Sequence, residues 1–295
     1  MEKKRRPMWL RSLLWLLGIV GGFALTVGAF CAFLYFKYEI NVIEVINQVK
    51  VLNEEVEVDK IASNSFSDAD MSLASDVTET NLPGLITYNL EDGYKVTPEE
   101  VTGSLLGDLK FTDKQIGAIL DNIIESQDQI NVQLGSTVNL KDYGFKVVQV
   151  QFSDITETTT DFNVVIKIDL TKLKEESMND FPLNIIKSYI PESLYFSATT
   201  TITKTANAFE YSTTGKNLRI NNLTTIQTAS IFKTINLLLK LGTTEEFAKT
   251  IGDTFVNALI GTEETPGLAY ALKDAGATDF AFVAENENNY FVIKK

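Results

Sequence analysis

Oxygen donors at regular spacing are the first residues in this chain that could do chemistry. Asp68, Asp70, Ser72, Asp76 and Glu79 fall at the first, third, fifth, ninth and twelfth places of an EF-hand-like calcium loop. Such a loop needs glycine at its sixth place for the sharp turn, and Leu73 stands there. Pro83-Gly84 also follows too soon for the second helix of the motif. The stretch Ser63 to Asn81 therefore reads as a solvated acidic loop, and neither a metal nor a cofactor is expected. Paired carboxylates are the other chemical option, at Glu99-Glu100, Glu175-Glu176, Glu245-Glu246 and Glu263-Glu264. Neighbours in sequence point apart or into water, and Glu245-Glu246 fits first-turn charge at a helix N-terminus better than general acid-base work.

Other chemistry is excluded by composition. The chain has no histidine, which removes Ser-His-Asp and Cys-His catalysis and histidine metal centres together. Its single cysteine, Cys31, lies in an apolar run, so the rest of the chain has no disulfide, thiol nucleophile or thiolate metal site. Only five of the 26 cations and one of the 39 acids lie in residues 1–11, and residues 37–295 carry a net charge of −17. A surface of that sign repels nucleic acid, and no nucleic-acid partner is expected.

The element that would position everything else is Ser12 to Phe36, 25 residues without a charge, preceded by Lys3, Lys4, Arg5, Arg6 and Arg11. At a rise of about 1.5 Å per residue it reaches roughly 37 Å, enough to cross a hydrocarbon core of about 30 Å. A cleaved signal has a shorter apolar region ending in small residues, whereas this run ends Phe33-Leu34-Tyr35-Phe36. The pattern predicts a cytoplasmic basic tip (1–11), a retained transmembrane signal-anchor (12–36), a juxtamembrane helix (37–62) and an extracytoplasmic α+β domain (63–295). Leu13, Trp15, Gly18, Gly22, Phe33 and Phe36 are the expected membrane contacts. Gly18 and Gly22 form a G-x-x-x-G that would also let two helices approach closely.

Beyond the anchor, Val42, Val45, Val49, Leu52 and Val56 recur at helical spacing. Glu91-Asp92-Gly93 between Ile86–Leu90 and Tyr94–Val96 is a hairpin signal. Thr112 and Gln115 form a capping box before a helix with Ile116, Ile119, Leu120, Ile123 and Ile124 on one face. Phe145 to Phe152 reads as a strand with a bulge at Val147-Val148. Phe162, Val164, Ile166, Ile168 and Leu170 alternate with mostly polar residues, as one face of a strand. A short helical segment lies between Pro182 and Pro191. Leu194–Lys204, Ala208–Thr213 and Leu218–Leu223 continue an antiparallel meander turning at Thr214–Asn217. Ile231–Leu241 and a helix capped by Thr243 and Glu246 follow, then a short helix and a last hairpin around Glu285–Asn288. The fold class predicted is α+β, a curved antiparallel sheet packed on helices.

Phe111 to Leu120 and Asp161 to Thr225, with the turn from Phe181-Pro182 to Tyr189-Ile190-Pro191, resemble the YpmS-like membrane-anchored extracytoplasmic proteins of Gram-positive bacteria. The resemblance covers about half the chain and implies a basic tip, one membrane helix and an external α+β domain with no catalytic residues to carry over. The expected function is a membrane-anchored binding module for a lipid or other amphiphile. Its candidate apolar groove is formed by Phe162, Val164, Ile166, Ile168, Leu170, Phe196, Ile202, Phe209 and Tyr211. Filling of that sheet face by a closed core is the alternative. Expected partners are the bilayer, a lipid or amphiphile ligand, or an envelope protein for which this chain is a non-catalytic accessory, sensor or scaffold subunit.

Overall fold

Four long segments rich in β-branched and aromatic residues pair in chain order into one antiparallel sheet: β6 (Lys146–Ser153), β7 (Thr159–Asp169), β8 (Ser193–Lys204) and β9 (Tyr211–Ile220). The structure, a computed structural model, describes residues 36–37, 41–126, 130–132, 136–138, 144–171, 175, 191–239 and 243–295. Residues 1–50 and 51–295 form separate compact units. Val42–Leu52 is helix α1, with Gln48 Nε2 bonded to Glu44 Oε1 at 2.9 Å, and Val58–Ile61 is a short α2. The expected span 12–36 lies outside the described residues except for Phe36. Among the described residues no helix is long and apolar enough to cross a membrane.

In the second unit, α3 (Asp68–Asn81) precedes a hairpin of β1 (Ile86–Asn89) and β2 (Gly93–Val96), which turns at Leu90–Asp92 as the Asp-Gly signal implies. Strand β3 (Leu109–Thr112) leads directly into α4 (Asp113–Ser126). The capping box forms: Gln115 Oε1 accepts from Thr112 N–H at 2.8 Å, and Gln115 N–H donates to Thr112 Oγ1 at 3.4 Å. Ile116, Ile119, Leu120 and Ile124 are buried as the periodicity predicts. A short hairpin of β4 (Ile130–Val132) and β5 (Ser136–Val138) comes next. After β9 come α5 (Thr225–Leu239), α6 (Thr244–Leu259) with its Thr243/Glu246 capping box, and α7 (Leu268–Ala271). Strands β10 (Asp279–Glu285) and β11 (Asn288–Lys294) form the last hairpin, and β11 pairs on its other side with β3.

One face of the main sheet carries Val147, Val150, Phe152, Phe162, Val164, Ile166, Ala198, Ile202 and Leu218 into the core, where α4, α6 and the β10-β11-β3 sheet supply the opposing side chains. Phenylalanines fill the junction: Phe152 lies 5.7 Å from Phe162 and 5.0 Å from Phe282, and Phe280 lies 6.1 Å from Phe291, measured between ring centroids. Helix α6 comes so close to the sheet that a Cβ added at Gly252 would overlap the Thr200 side chain, whose hydroxyl donates to Ala248 O at 3.1 Å. A second, small cluster joins Ile220, Leu223 and Ile231 with Val51 and Leu52.

Three sequence expectations are corrected. The stretch Ser63–Asn81 is not a loop, because its greater part is α3. The Asp70 carboxylate accepts the Ser67 N–H at 2.8 Å and its hydroxyl at 3.0 Å, and Met71, Ala74, Ser75 and Thr78 bury one face. The two strands expected at Ala208–Thr213 and Leu218–Leu223 are one continuous β9, because Gly215 and Asn217 both pair with β8, at Thr200 and Thr199, and the extra residue, Lys216, is taken up in a bulge instead of a turn. Helix α5 starts at Thr225, earlier than Ile231, since Thr224 and Gln227 form a capping box of their own, at 2.9 and 3.3 Å. The segment expected between Pro182 and Pro191 lies outside the described residues up to Pro191.

Candidate functional site

The expected groove divides on inspection. Phe162, Val164, Ile166 and Ile202 are buried in the closed core beneath the helices, so the sheet face they share is filled. Ile168, Leu170 and Phe196 are half-buried, and Phe196 packs 6.1 Å from Phe247 of α6. Phe209 and Tyr211 do border an opening, a cleft of about 790 Å³ completed by Tyr270, Lys273 and Glu263. There Phe209 meets Tyr270 edge-on at 5.5 Å, and Tyr211 donates its hydroxyl to Asn257 Oδ1. Burial and the nearby Asp253 push the Tyr211 phenol up to about 12, so it stays a donor. Of the membrane residues, Leu13, Trp15, Gly18, Gly22 and Phe33 lie outside the described residues, and Phe36 is exposed.

The acidic positions are separated by the fold. Helical geometry takes Asp68, Asp70, Asp76 and Glu79 out of the arrangement a calcium loop needs. Glu99 and Glu100 sit on a 3₁₀ turn, Glu245 and Glu246 in the first turn of α6, and Glu263 and Glu264 in an exposed loop. Among the described residues no group of three acids could hold a metal ion.

The site with the most chemistry is one that sequence reasoning passed over. Asp113, Gly117 and Asp121 recur every four residues on α4 and form a stripe along the outer edge of β6. Asp113 Oδ1 accepts from Phe152 N–H at 3.0 Å, and Asp121 Oδ1 accepts from Val147 N–H at 2.7 Å. Between them Ser65 bridges to Gln149, whose Oε1 takes Asn64 N–H at 2.7 Å, and the ring of Phe66 lies against Gly117. The free edge of the main sheet is thus closed by two carboxylates and a strap of chain, which blocks edge-to-edge pairing.

The strap, α3, α4 and the β1-β2 hairpin enclose a cleft of about 730 Å³ lined by Asp68, Asp92, Asp121, Glu125, Lys146 and the cross-strand pair Tyr88 and Tyr94. The two tyrosine rings lie 4.8 Å apart, tilted by 51°. Asn122 pins the hairpin to α4 by donating to Tyr94 O at 2.7 Å and accepting from Val96 N–H at 3.1 Å. Asp121 is 9% exposed, and burial, reinforced by Glu125, raises its carboxyl to about 6. Asp113, 8% exposed, is raised to about 7 by burial, against the lowering effect of its bonds with Phe152 N–H and Asn289. A charged residue bordering the apolar stripe of α4 was the signal for Asp121. The tyrosine pair could have been found from the hairpin register.

Comparison with protein-family models, with curated proteins and with solved structures finds no match to this chain.

Proposed function

We propose that this chain is a membrane-tethered, extracytoplasmic binding module and not an enzyme, with its ligand site in the cleft between the β1-β2 hairpin and α4. The observation that carries the reading is the cleft of about 730 Å³ itself, which a buried carboxylate, Asp121, lines beside the Tyr88–Tyr94 ring pair. Catalysis is not needed to explain the burial of Asp121, since Asp113, about two helical turns away on α4, does the same edge-closing work at Phe152. The tether rests on the uncharged run 12–36 and its basic flank. The YpmS-like resemblance supports the same layout.

Two measurements test it on the full-length protein. An impermeant maleimide should label Glu91→Cys, at the hairpin tip, in intact cells. Failure to label until the membrane is broken would refute the topology. Native mass spectrometry of protein released from its own membrane should show a bound small mass that Tyr88→Ala loses. A chain free of adducts in both forms counts against the cleft. A second reading, an amphiphile bound at the Phe209, Tyr211 and Tyr270 cleft, is favoured by the two groove residues found there. It predicts a retained lipid mass that survives Tyr88→Ala and is lost in Tyr270→Ala.

A further inference from the structure

We infer that the outer edge of β9 pairs antiparallel with β9 of a second copy of this chain, continuing the main sheet across a twofold axis at Thr214. The inference goes beyond the binding-module reading and stands apart from the hairpin cleft. The two edges of the main sheet differ. That of β6 is closed by Asp113 on Phe152 N–H, by Asp121 on Val147 N–H and by the Ser65–Gln149 bridge. That of β9 is closed only at its ends, where Thr205 N–H donates to Glu210 O at 3.0 Å and Ile220 N–H donates to Thr228 Oγ1 at 3.3 Å. Between these points, no backbone group of residues 211–219 has a partner beyond β8 among the described residues.

The direction of the open groups follows from the ladder. Lys204 N–H goes to Thr158 O at 2.8 Å, away from β9, and Ile220 N–H goes to α5, away from β8. Lys204↔Tyr211 and Phe196↔Ile220 are therefore non-hydrogen-bonded pairs, and antiparallel alternation turns the N–H and C=O of Tyr211, Thr213 and Gly215 outward. The chemistry that satisfies such a row is addition of another strand. Lys216, the residue type that commonly guards an edge, is the extra residue of the bulge, and its ammonium reaches back over the sheet to Asp161 Oδ2 at 2.5 Å.

Side-chain chemistry names a second copy as the added strand. Residues 212–215 are Ser, Thr, Thr and Gly, so an antiparallel copy meets neither bulk nor like charge there. Beneath the strand, charge alternates along α6: Asp253 accepts the Thr213 hydroxyl, and the backbone of Lys249 lies against Gly215. A twofold axis at Thr214 sets Thr213 opposite Gly215 of the other copy, and so brings each Asp253 to the other copy's Lys249. Both side chains are partly exposed and paired only with each other, so they are free to exchange partners across the axis. Under the tether reading, the Gly18-x-x-x-Gly22 spacing would let the two anchors approach as well.

The test uses the full-length protein with Cys31→Ser in detergent micelles. Sedimentation equilibrium should give a protein mass of twice 32.8 kDa. Adding Thr214→Cys should yield a disulfide-linked dimer under mild oxidant, because a non-hydrogen-bonded antiparallel pair holds its two Cα atoms about 4.5 Å apart. Ser212→Cys, set opposite Lys216, should link far less. Thr214→Lys, which puts like charges face to face at the axis, should weaken the dimer tenfold or more, and Thr214→Val should change it by less than a factor of two. Thr214 is exposed, so both variants should keep the wild-type circular dichroism. A monomer at every concentration overturns the inference, as does a dimer that Thr214→Lys leaves intact. Equal linking at Ser212 and Thr214 overturns the axis. A dimer lost only in Gly22→Ile lies in the anchor and overturns the β9 pairing. None of these outcomes depends on a ligand mass in the hairpin cleft, so either reading can fail without the other.

Discussion

Replacing Asp113 and Asp121 by asparagine should flatten the pH dependence of stability between pH 5 and 8. Both carboxyls are raised in the folded chain, from an ordinary value of 3.8 to about 7 and about 6. The fold therefore holds protons that the unfolded chain releases, and their contribution to stability is full below pH 3.8 and lost as pH rises through 6 and then 7. Holding a proton over those intervals corresponds to about 4 kcal/mol for Asp113 and about 3 kcal/mol for Asp121. Both side chains border clefts that water enters, which screens part of this and leaves about 3 kcal/mol for the pair. About half of this is lost between pH 3.8 and 5, so between pH 5 and pH 8 wild type should lose about 2 kcal/mol relative to the double variant. Asparagine keeps an acceptor for Phe152 N–H and Val147 N–H, so the edge of β6 stays closed. Asp92, Asp161, Asp169 and Glu245 are held below their ordinary values and lose their contribution only in more acidic solution, outside this window. The assay is urea unfolding of full-length wild type and double variant in detergent, followed by far-ultraviolet circular dichroism at pH 5, 6, 7 and 8. Parallel curves, or a wild type that gains on the variant as pH rises, would refute the reasoning.

Further outcomes follow from packing. Ile166→Trp should overpack the closed core and cost about 1–3 kcal/mol in denaturant unfolding, whereas an unchanged midpoint would mean the sheet face has room for a ligand after all. Gly252→Ala should push α6 off Thr200 and cost about 2–3 kcal/mol despite alanine's better helix propensity, and a gain in stability would show that the helix can slide. Gly117→Ala should displace Phe66 and loosen the strap, read as faster amide exchange at Val148 and Gln149 with little change at Ile202. Chelator should leave the melting temperature unchanged, because α3 replaces the calcium-like spacing, and a drop of several degrees would reveal a carboxylate site.

What the sequence made legible was local. The Thr112/Gln115 and Thr243/Glu246 boxes and the Asp-Gly hairpin each place their signal within a few residues, and each formed as read; β7 formed as a strand, but Val165 on its other face is buried as well and Ile168 is only half-buried. The failures share a physical cause, in that the deciding partner is distant in sequence. Helix α3 buries small and polar side chains, Ala74, Ser75 and Thr78, against the rest of the domain, so its stripe carries little hydrophobic contrast. Strand β9 passes straight through Gly215 because β8 and α6 hold it there, although Thr-Gly-Lys-Asn alone reads as a turn.

The candidate site was missed for the same reason, and the consequence reaches function. The groove was sought where apolar residues alternate most strictly, on β7, but strict alternation marks a face that other elements will cover. Phe162, Val164 and Ile166 are covered by α4, α6 and the smaller sheet, and a filled face has nothing left to bind. Binding surface survives instead where side chains interrupt a pattern: Asp121 beside the apolar stripe of α4, and Tyr88 exposed on a four-residue strand. Asp121 closes the edge of β6 through Val147 N–H and also lines the cleft. A substitution that removes its charge but keeps its acceptor, Asp121→Asn, therefore separates the two duties: the edge of β6 should hold while the charge of the cleft lining changes.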